Sequence, residues 1–432
     1  MNTIGIIAEF NPFHNGHLHL IETCKETLKA DRCIVIMSGD FVQRGAPALV
    51  DKFTRAKMAL NCGADVVIEL PVYYALGSAE FFARGAVSIL DKLGCIEYLC
   101  FGSECGNIDL LTNAARILNE EPDFFKDVLA KELKKGQSFA AAREAALFAC
   151  LESDKSLQSE KDKAQESCDS SVLSAPNNIL GVEYIRALQD RNSKIKPYSI
   201  KRVGEGYHSK EIDEFSSASA IRSGIFSITA KSSVSDSDMI NSNCIDFSAF
   251  EHSVPAACIS LLKDYEGSFA DTDKLSLPLN YKLLSEKNNG FTKYLDVTED
   301  LSNKITSAIE NFSTFDQFCT ALKTKDLAYS RISRALCHIL LNITASNMDE
   351  YKADGYTSYA RILGMKKASS DLVKLMRENA SIPVIGNLKE AGGSALSDLQ
   401  KRLFEETLLA SQIYHKLYLG TNLNEYKSFM LI

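Results

Sequence analysis

The sequence predicts a doubly wound, Rossmann-like parallel α/β sheet followed by a mainly α-helical C-terminal domain. Three observations carry this prediction. Short apolar runs alternate with helix-period segments through the first hundred residues. A Ser/Asp-rich stretch at residues 231–243 interrupts the pattern. From about residue 250 onward, apolar stripes recur at helical spacing.

Residues 4–10 form an apolar run of the kind a buried parallel strand needs. Residues 16–29 set Leu18, Ile21 and Cys24 along one helical face. A second apolar run covers 33–37, then the pattern reads helix over 52–61, strand over 65–70, helix over 78–93 and strand over 96–101. Right-handed crossovers would bring the loops at the strand ends to one ligand-binding edge. Residues 109–151 read as mostly helical. The Ser-, Lys- and Glu-rich segment 152–174 reads as a flexible polar insertion. A helix over 177–189, a last strand over 196–200 and a short helix over 217–226 follow. We divide the chain into residues 1–230, a linker at 231–249 and a helical domain at 250–432, the last with apolar stripes at 332–341 and 399–417.

Composition narrows the function. With 432 residues, 45% apolar and 24% charged, the chain is globular and long enough for more than one core. A net charge of -8 excludes a protein that holds nucleic acid by overall basicity, though not one with a local basic patch. No apolar stretch approaches the length of a membrane span, and the N-terminus lacks the basic start of a signal peptide. Twelve cysteines without a C-x-x-C pair read as buried small hydrophobes in a reducing cytoplasm rather than as a zinc site.

The strongest local signal is Glu9-Phe10-Asn11-Pro12-Phe13-His14-Asn15-Gly16-His17, where the first strand meets the first helix. In an open α/β sheet a nucleotide binds there. His14 and His17 are three apart at a helix start, and two imidazoles beside the positive helix end suit a phosphate gaining negative charge. Gly16 permits close backbone approach. Two ordinary capping or surface histidines are the competing reading, and the position after the first strand favours phosphate contact.

His14-Asn15-Gly16-His17 resembles the H-x-G-H signature of the nucleotidyltransferase superfamily, whose members act on the α-phosphate of ATP. The longer strings IIAEFNPFHNGH, MSGDFVQRGAPA, VIELP, FGSE and PNNILGVEYI resemble, together and in order, the tRNA(Met) cytidine acetate ligase family. The resemblance implies a nucleotidyltransferase-type sheet with ATP as substrate and magnesium (Mg2+) as companion ion. Acetate would be activated as acetyl-adenylate, and elongator tRNA(Met) would receive the acetyl group at its wobble cytidine to give N4-acetylcytidine. It implies neither a membrane nor a DNA partner, and a cytoplasmic setting. His14 and His17 would be catalytic. The ATP site would be the loop Ile7, Ala8, Glu9, Phe10, Asn11, Pro12, Phe13, His14, Asn15, Gly16, His17, Leu18, His19 and Leu20, joined by Gly102, Asn177 and Arg202. Residue chemistry leaves each of the last three open: a plain turn glycine, a helix N-cap and a solvated cation are the competing readings. Residues 1–230 would be the adenylation domain and 250–432 the tRNA-binding domain.

Ser216 to Arg222 resembles the second superfamily signature, with Ala218 and Ser219 where a hydroxyl residue and Thr are usual. Ser219 and Arg222 are possible phosphate contacts, and a simple Ser N-cap is the alternative. After the second strand, Arg44 or Gln43 would help hold acetate or the phosphates, and Arg44 suits a carboxylate. Asp40 suits magnesium rather than acetate. A structural loop with an Arg salt bridge is the alternative there. Lys52, Arg55 and Lys57 read as a solvated helix face, and Glu69 as a residue that orients a histidine or caps the loop at Pro71, without a catalytic role. Arg331, Arg334, Arg361 and Lys366, with Lys323, Lys325, Lys367, Tyr356 and Tyr359 nearby, are the expected tRNA contacts, against ordinary surface cations. An adenylyltransferase acting on a small phosphorylated substrate and a non-catalytic ATP-sensing RNA-binding module are the rival functions.

Overall fold

The computed structural model describes residues 2–156, 174–203, 216–232, 245–386, 396–421, 425 and 429–432. Most of the polar insertion (157–173) and most of the linker (233–244) lie outside the described residues. Two compact units are present: residues 1–97 with 203–432, and residues 98–202.

The strands of the main sheet, in chain order, are β1 (Thr3–Ala8), β2 (Arg32–Ser38), β3 (Val66–Leu70), β4 (Tyr98–Ser103), β5 (Lys196–Lys201), β6 (Ala360–Met365), β7 (Val384–Ile385) and β8 (Met430–Leu431); Phe41–Val42 and Ala46–Pro47 form a separate antiparallel hairpin. The helices that position the site are α1 (Asn15–Thr27), α2 (Lys52–Asn61), α3 (Ala79–Leu93), α4 (Pro176–Asp190), α5 (Ala218–Ser232), α6 (Ala256–Lys263), α7 (Tyr329–Leu340) and α8 (Asp398–Tyr418).

In the first unit β1, β2 and β3 are parallel, with Ile6 opposite Val35 and Val35 opposite Val67. Their apolar side chains are almost wholly buried, as two-sided coverage of a parallel sheet requires. Asp51 starts α2 by accepting from the Phe53 and Thr54 amides at 2.8 and 3.1 Å. Helix α3 begins at the Ser78 cap and stops at Gly94, whose φ of 66° favours glycine. It packs so closely on β1 that a Cβ at Gly5 would lie 2.8 Å from Leu90.

The C-terminal part is mainly helical, as expected. Its residues supply three strands as well as helices. Strand β6 pairs antiparallel with β3, and β7 and β8 run parallel to β6. The sheet is therefore parallel-dominated and mixed. All six residues of β6 (ARILGM) are buried, Arg361 among them, and a short, mainly apolar run carries no period that separates strand from buried helix.

In the second unit β4 pairs parallel with β5, from Tyr98 opposite Lys196 to Ser103 opposite Lys201. Helices Ile108–Glu120, Asp123–Lys134, Phe139–Ser156 and α4 complete it. Gly181 lets α4 lie against Phe101, which a Cβ there would meet at 2.6 Å. Among the described residues, no helix is long and apolar enough to cross a membrane.

Candidate active site

The loop after β1 is built by its own polar groups. Phe10 adopts φ 47°, and the Asn11–Pro12 peptide is cis. The Leu49 amide donates to Asn11 Oδ1 at 2.7 Å, and Arg222 Nη1 donates to the Asn11 carbonyl at 2.6 Å. The Gln43 amide donates to Glu9 Oε1 at 2.7 Å. Asn15, first in α1, donates from its backbone to Ser253 O at 2.9 Å and from its side chain to His252 O at 2.8 Å.

His14 and His17 form an unusual capping box at the start of α1. The Gly16 amide donates to His14 Nδ1 at 3.1 Å, and the His14 amide donates to His17 Nδ1 at 3.2 Å. A ring nitrogen that accepts an N–H carries no proton. Both imidazoles are therefore the tautomer protonated on Nε2, each with an N–H donor at the far side of the ring. The rings lie 3.8 Å apart, centroid to centroid, with His14 only 3% exposed. Phe10 meets His17 edge-on at 4.8 Å and Phe13 lies 5.4 Å from it, which fixes the ring against an apolar wall. Capping and donor presentation, set against each other as readings of the sequence, are thus one arrangement. Gly16 is needed for a reason the sequence conceals: a Cβ there would sit 2.9 Å from the His14 ring.

Two of the three cations of α2 correct the expectation of a solvated face, while Lys57 is exposed as expected. Lys52 and Arg55 are wholly buried. Arg55 donates to the carbonyls of Val50, Glu9 and Ser38 at 3.0, 2.7 and 3.0 Å and also to that of Gly39. It thereby ties the ends of β1 and β2 together. Lys52 Nζ reaches Glu69 Oε1 at 2.7 Å, Ser411 Oγ at 2.8 Å and Glu425 Oε1 at 3.0 Å.

Arg361, expected at a tRNA surface, is buried and completes this quartet by bonding Glu69 Oε2 at 2.7 Å and Glu425 Oε2. That assignment is withdrawn. Burial opposes its charge, but Glu69 and Glu425 outweigh burial and hold its pKa above the ordinary value. Glu69 is an anchor of this cluster rather than a loop cap. Tyr359 is buried as well and offers no face for stacking.

Asp40 is also buried. Its Oδ1 accepts the Lys52 amide at 2.7 Å, and Oδ2 finds no partner. Burial raises its pKa, and Lys52 opposes this. Among the described residues, no group of three or more His, Cys, Asp or Glu is placed to hold a metal ion.

Arg44 is exposed on the hairpin that follows β2. The hairpin docks through Gly45, whose carbonyl accepts from Ser333 Oγ at 2.6 Å. Burial lowers the pKa of Arg222, and Arg44 adds to this while Glu9 opposes it. Arg222 Nη2 donates to Ser219 Oγ at 3.1 Å, and Ser217 Oγ caps α5 by accepting the Ala220 amide at 3.2 Å. The structure thus brings Arg222 and Ser219 to the histidine loop.

Gly102, Asn177 and Arg202 lie in the second unit. Asn177 is a helical residue rather than the N-cap. Its amide and side chain donate to Glu104 Oε1 at 3.2 and 2.6 Å, and the Asn178 amide donates to Oε2 at 2.8 Å. Glu104 was not singled out from sequence; its carboxylate lies at the positive end of α4. Arg202 covers Gly102, where a Cβ would meet its stem at 3.2 Å. Burial lowers the Arg202 pKa and Glu104 opposes this.

Of the remaining cations, Arg331, Lys323 and Lys325 are exposed. Arg334 is half-buried and pairs with Asp296 at 3.5 Å. Lys366 is half-buried.

The HIGH Nucleotidyl Transferase family model matches residues 1–428. The tRNA(Met) cytidine acetate ligase of Clostridium perfringens is 38% identical over 398 residues, covering 92% of each chain. That of Clostridium kluyveri is 40% identical over 404 residues, again covering 92% of each. A crystal structure of Thermotoga maritima TmcAL bound with alpha-thio ATP superposes with a TM-score of 0.84 at 30% identity, covering all of both chains. By its fold, its histidine capping box and these likenesses, the chain belongs to the tRNA(Met) cytidine acetate ligase family of HIGH nucleotidyltransferases.

Proposed function

We propose that the chain is an ATP-dependent ligase that activates acetate and transfers the acetyl group to the wobble cytidine of elongator tRNA(Met) in the cytoplasm. An acetate oxygen attacks the α-phosphorus of ATP. The bond to the bridging oxygen breaks and pyrophosphate leaves. The cytidine N4 then attacks the acetyl carbon, loses a proton and releases AMP. The observation that carries this reading is the histidine capping box, which fixes two Nε2–H donors at the end of β1. Preorganised donors of this kind stabilise charge as it develops on phosphate oxygens.

Arg222 and Arg44 supply positive charge beside the loop, and Ser219 a hydroxyl. Ile7 to Leu20, Gly102, Asn177 and Arg202 are assigned to ATP, and Arg331, Arg334 and Lys366 to tRNA. Magnesium would accompany ATP, with Asp40 the candidate to help hold it through oxygen, its Oδ2 having no hydrogen-bond partner. Residues 1–230 would carry adenylation and 250–432 tRNA docking.

The test is ATP–pyrophosphate exchange measured with and without acetate, followed by mass analysis of tRNA(Met). Exchange that requires acetate, and an acetylated cytidine, support the proposal. Exchange that requires a phosphorylated small molecule instead supports an adenylyltransferase. Absence of exchange under every condition supports a non-catalytic binding module.

A further inference from the structure

We infer that Cys62 and Cys258 are a reversible oxidation site, a dithiol that a hydroperoxide converts to a disulfide. The two sulfurs lie 3.5 Å apart although 196 residues separate them in sequence. Cys62 caps the C-terminal end of α2 and is 6% exposed, whereas Cys258 lies in α6 and is wholly buried. A peroxide therefore reaches Cys62 first, with Cys258 poised behind it. The two sulfurs share a hydrogen bond, which lowers the Cys62 pKa and raises that of Cys258. Thiolate character at the more accessible sulfur is what selects a cysteine for oxidation.

The chemistry closes on itself. The Cys62 thiolate attacks a peroxide oxygen; the O–O bond breaks, giving a sulfenic acid on Cys62 and, after protonation, one water from hydrogen peroxide. Cys258 sulfur then attacks Cys62 sulfur. The S–S bond forms, the S–O bond breaks, and the departing hydroxide takes the Cys258 proton as a second water. Two thiols are oxidised and one peroxide is reduced. The sulfurs need to close from 3.5 Å to about 2.05 Å, a movement that side-chain rotation and small backbone shifts supply.

The bond would join the two segments that hold α1. At its start, Asn15 is tied to His252 and Ser253, which lead into α6. Near its end, Lys25 Nζ donates to the Gly63 carbonyl at 2.8 Å, next to Cys62. A Cβ at Gly63 would lie 2.9 Å from Ile21, so this turn rests directly on α1. A Cys62–Cys258 disulfide fastens one support to the other and with them the helix that His14 caps and His17 opens.

The experiment treats the full chain with hydrogen peroxide, alkylates remaining thiols, digests without reductant and maps peptides by mass. The expected product is a cross-linked Cys62–Cys258 peptide pair, lighter by about 2 Da than the two thiol peptides and restored by dithiothreitol. Cys258→Ser is expected to trap Cys62 as a sulfenic acid that dimedone labels. Hydrogen exchange of α1 amides is expected to slow by about threefold or more in the oxidised protein, and peroxide is expected to leave it unchanged in Cys62→Ser. If Cys62 and Cys258 still alkylate after the half-exposed Cys95 and Cys105 have been oxidised, the site is overturned. A disulfide that leaves α1 exchange unchanged overturns its role as a fastener.

Discussion

Two polar clusters stand beside the same parallel strands, and they are finished in opposite ways. At the quartet of Lys52, Glu69, Arg361 and Glu425, two cations meet two carboxylates with side chains at most 5% exposed. Each charge is consumed inside the protein. At the histidine loop, backbone N–H groups occupy one nitrogen of each ring and set the proton on the other. One cluster spends its hydrogen-bonding capacity on holding β3, β6 and the C-terminal segment together. The other uses backbone contacts at Nδ1 to orient each ring. Charge alone does not mark a site; the direction in which donors and acceptors are left does.

The largest expected effect falls on the closed cluster. Arg361→Met leaves Glu69 and Glu425 short of a cation and should destabilise the fold by about 3–5 kcal/mol, read from urea unfolding. A loss below about 1 kcal/mol would mean that solvent reaches the quartet. His17→Ala comes next. It should slow acetate-dependent pyrophosphate exchange by about 100- to 1,000-fold while ATP affinity changes far less, because the donor acts on developing charge. Equal losses in exchange and in ATP binding would recast His17 as a binding group.

Arg331→Glu should weaken tRNA binding by roughly tenfold and lower its salt dependence by about one counterion, without slowing exchange. Unaltered tRNA affinity would remove this cation from the contact surface. The smallest effect is at Asp40. Burial raises its pKa above 3.8, so the folded protein holds that proton more tightly than the unfolded chain does. Stability therefore falls as pH rises from 3.8 through the folded value, and the loss persists above it. Asp40→Asn should remove this limb, raising stability at neutral pH and leaving it unchanged in acid, as thermal melts across pH would show.

The first part of the fold was legible because its periods are clean. The apolar runs at β1, β2 and β3 alternate with caps such as Asp51 and Ser78. The histidine loop was legible from its place after the first strand. Legibility failed where a residue's state depends on partners distant in sequence. Lys52 and Arg361 look like surface cations until Glu425, 373 and 64 residues away, is brought beside them. Asn15 gives no sign of the His252 carbonyl it binds, 237 residues on. Glu104 carried a signal that was overlooked, an acidic residue directly after a strand, but its helix partner begins only at Pro176. Strand β6 carried none, since six wholly buried residues, apolar apart from Arg361, have no period to read.

The central claim is that the paired imidazoles meet the phosphates of ATP. A crystal of this chain soaked with a non-hydrolysable ATP analogue tests it directly. Nε2 of His14 and His17 should lie within hydrogen-bonding distance of phosphate oxygens, with Nδ1 still accepting from the backbone. A triphosphate bound away from the loop, or rings turned so that Nδ1 faces the nucleotide, would contradict it.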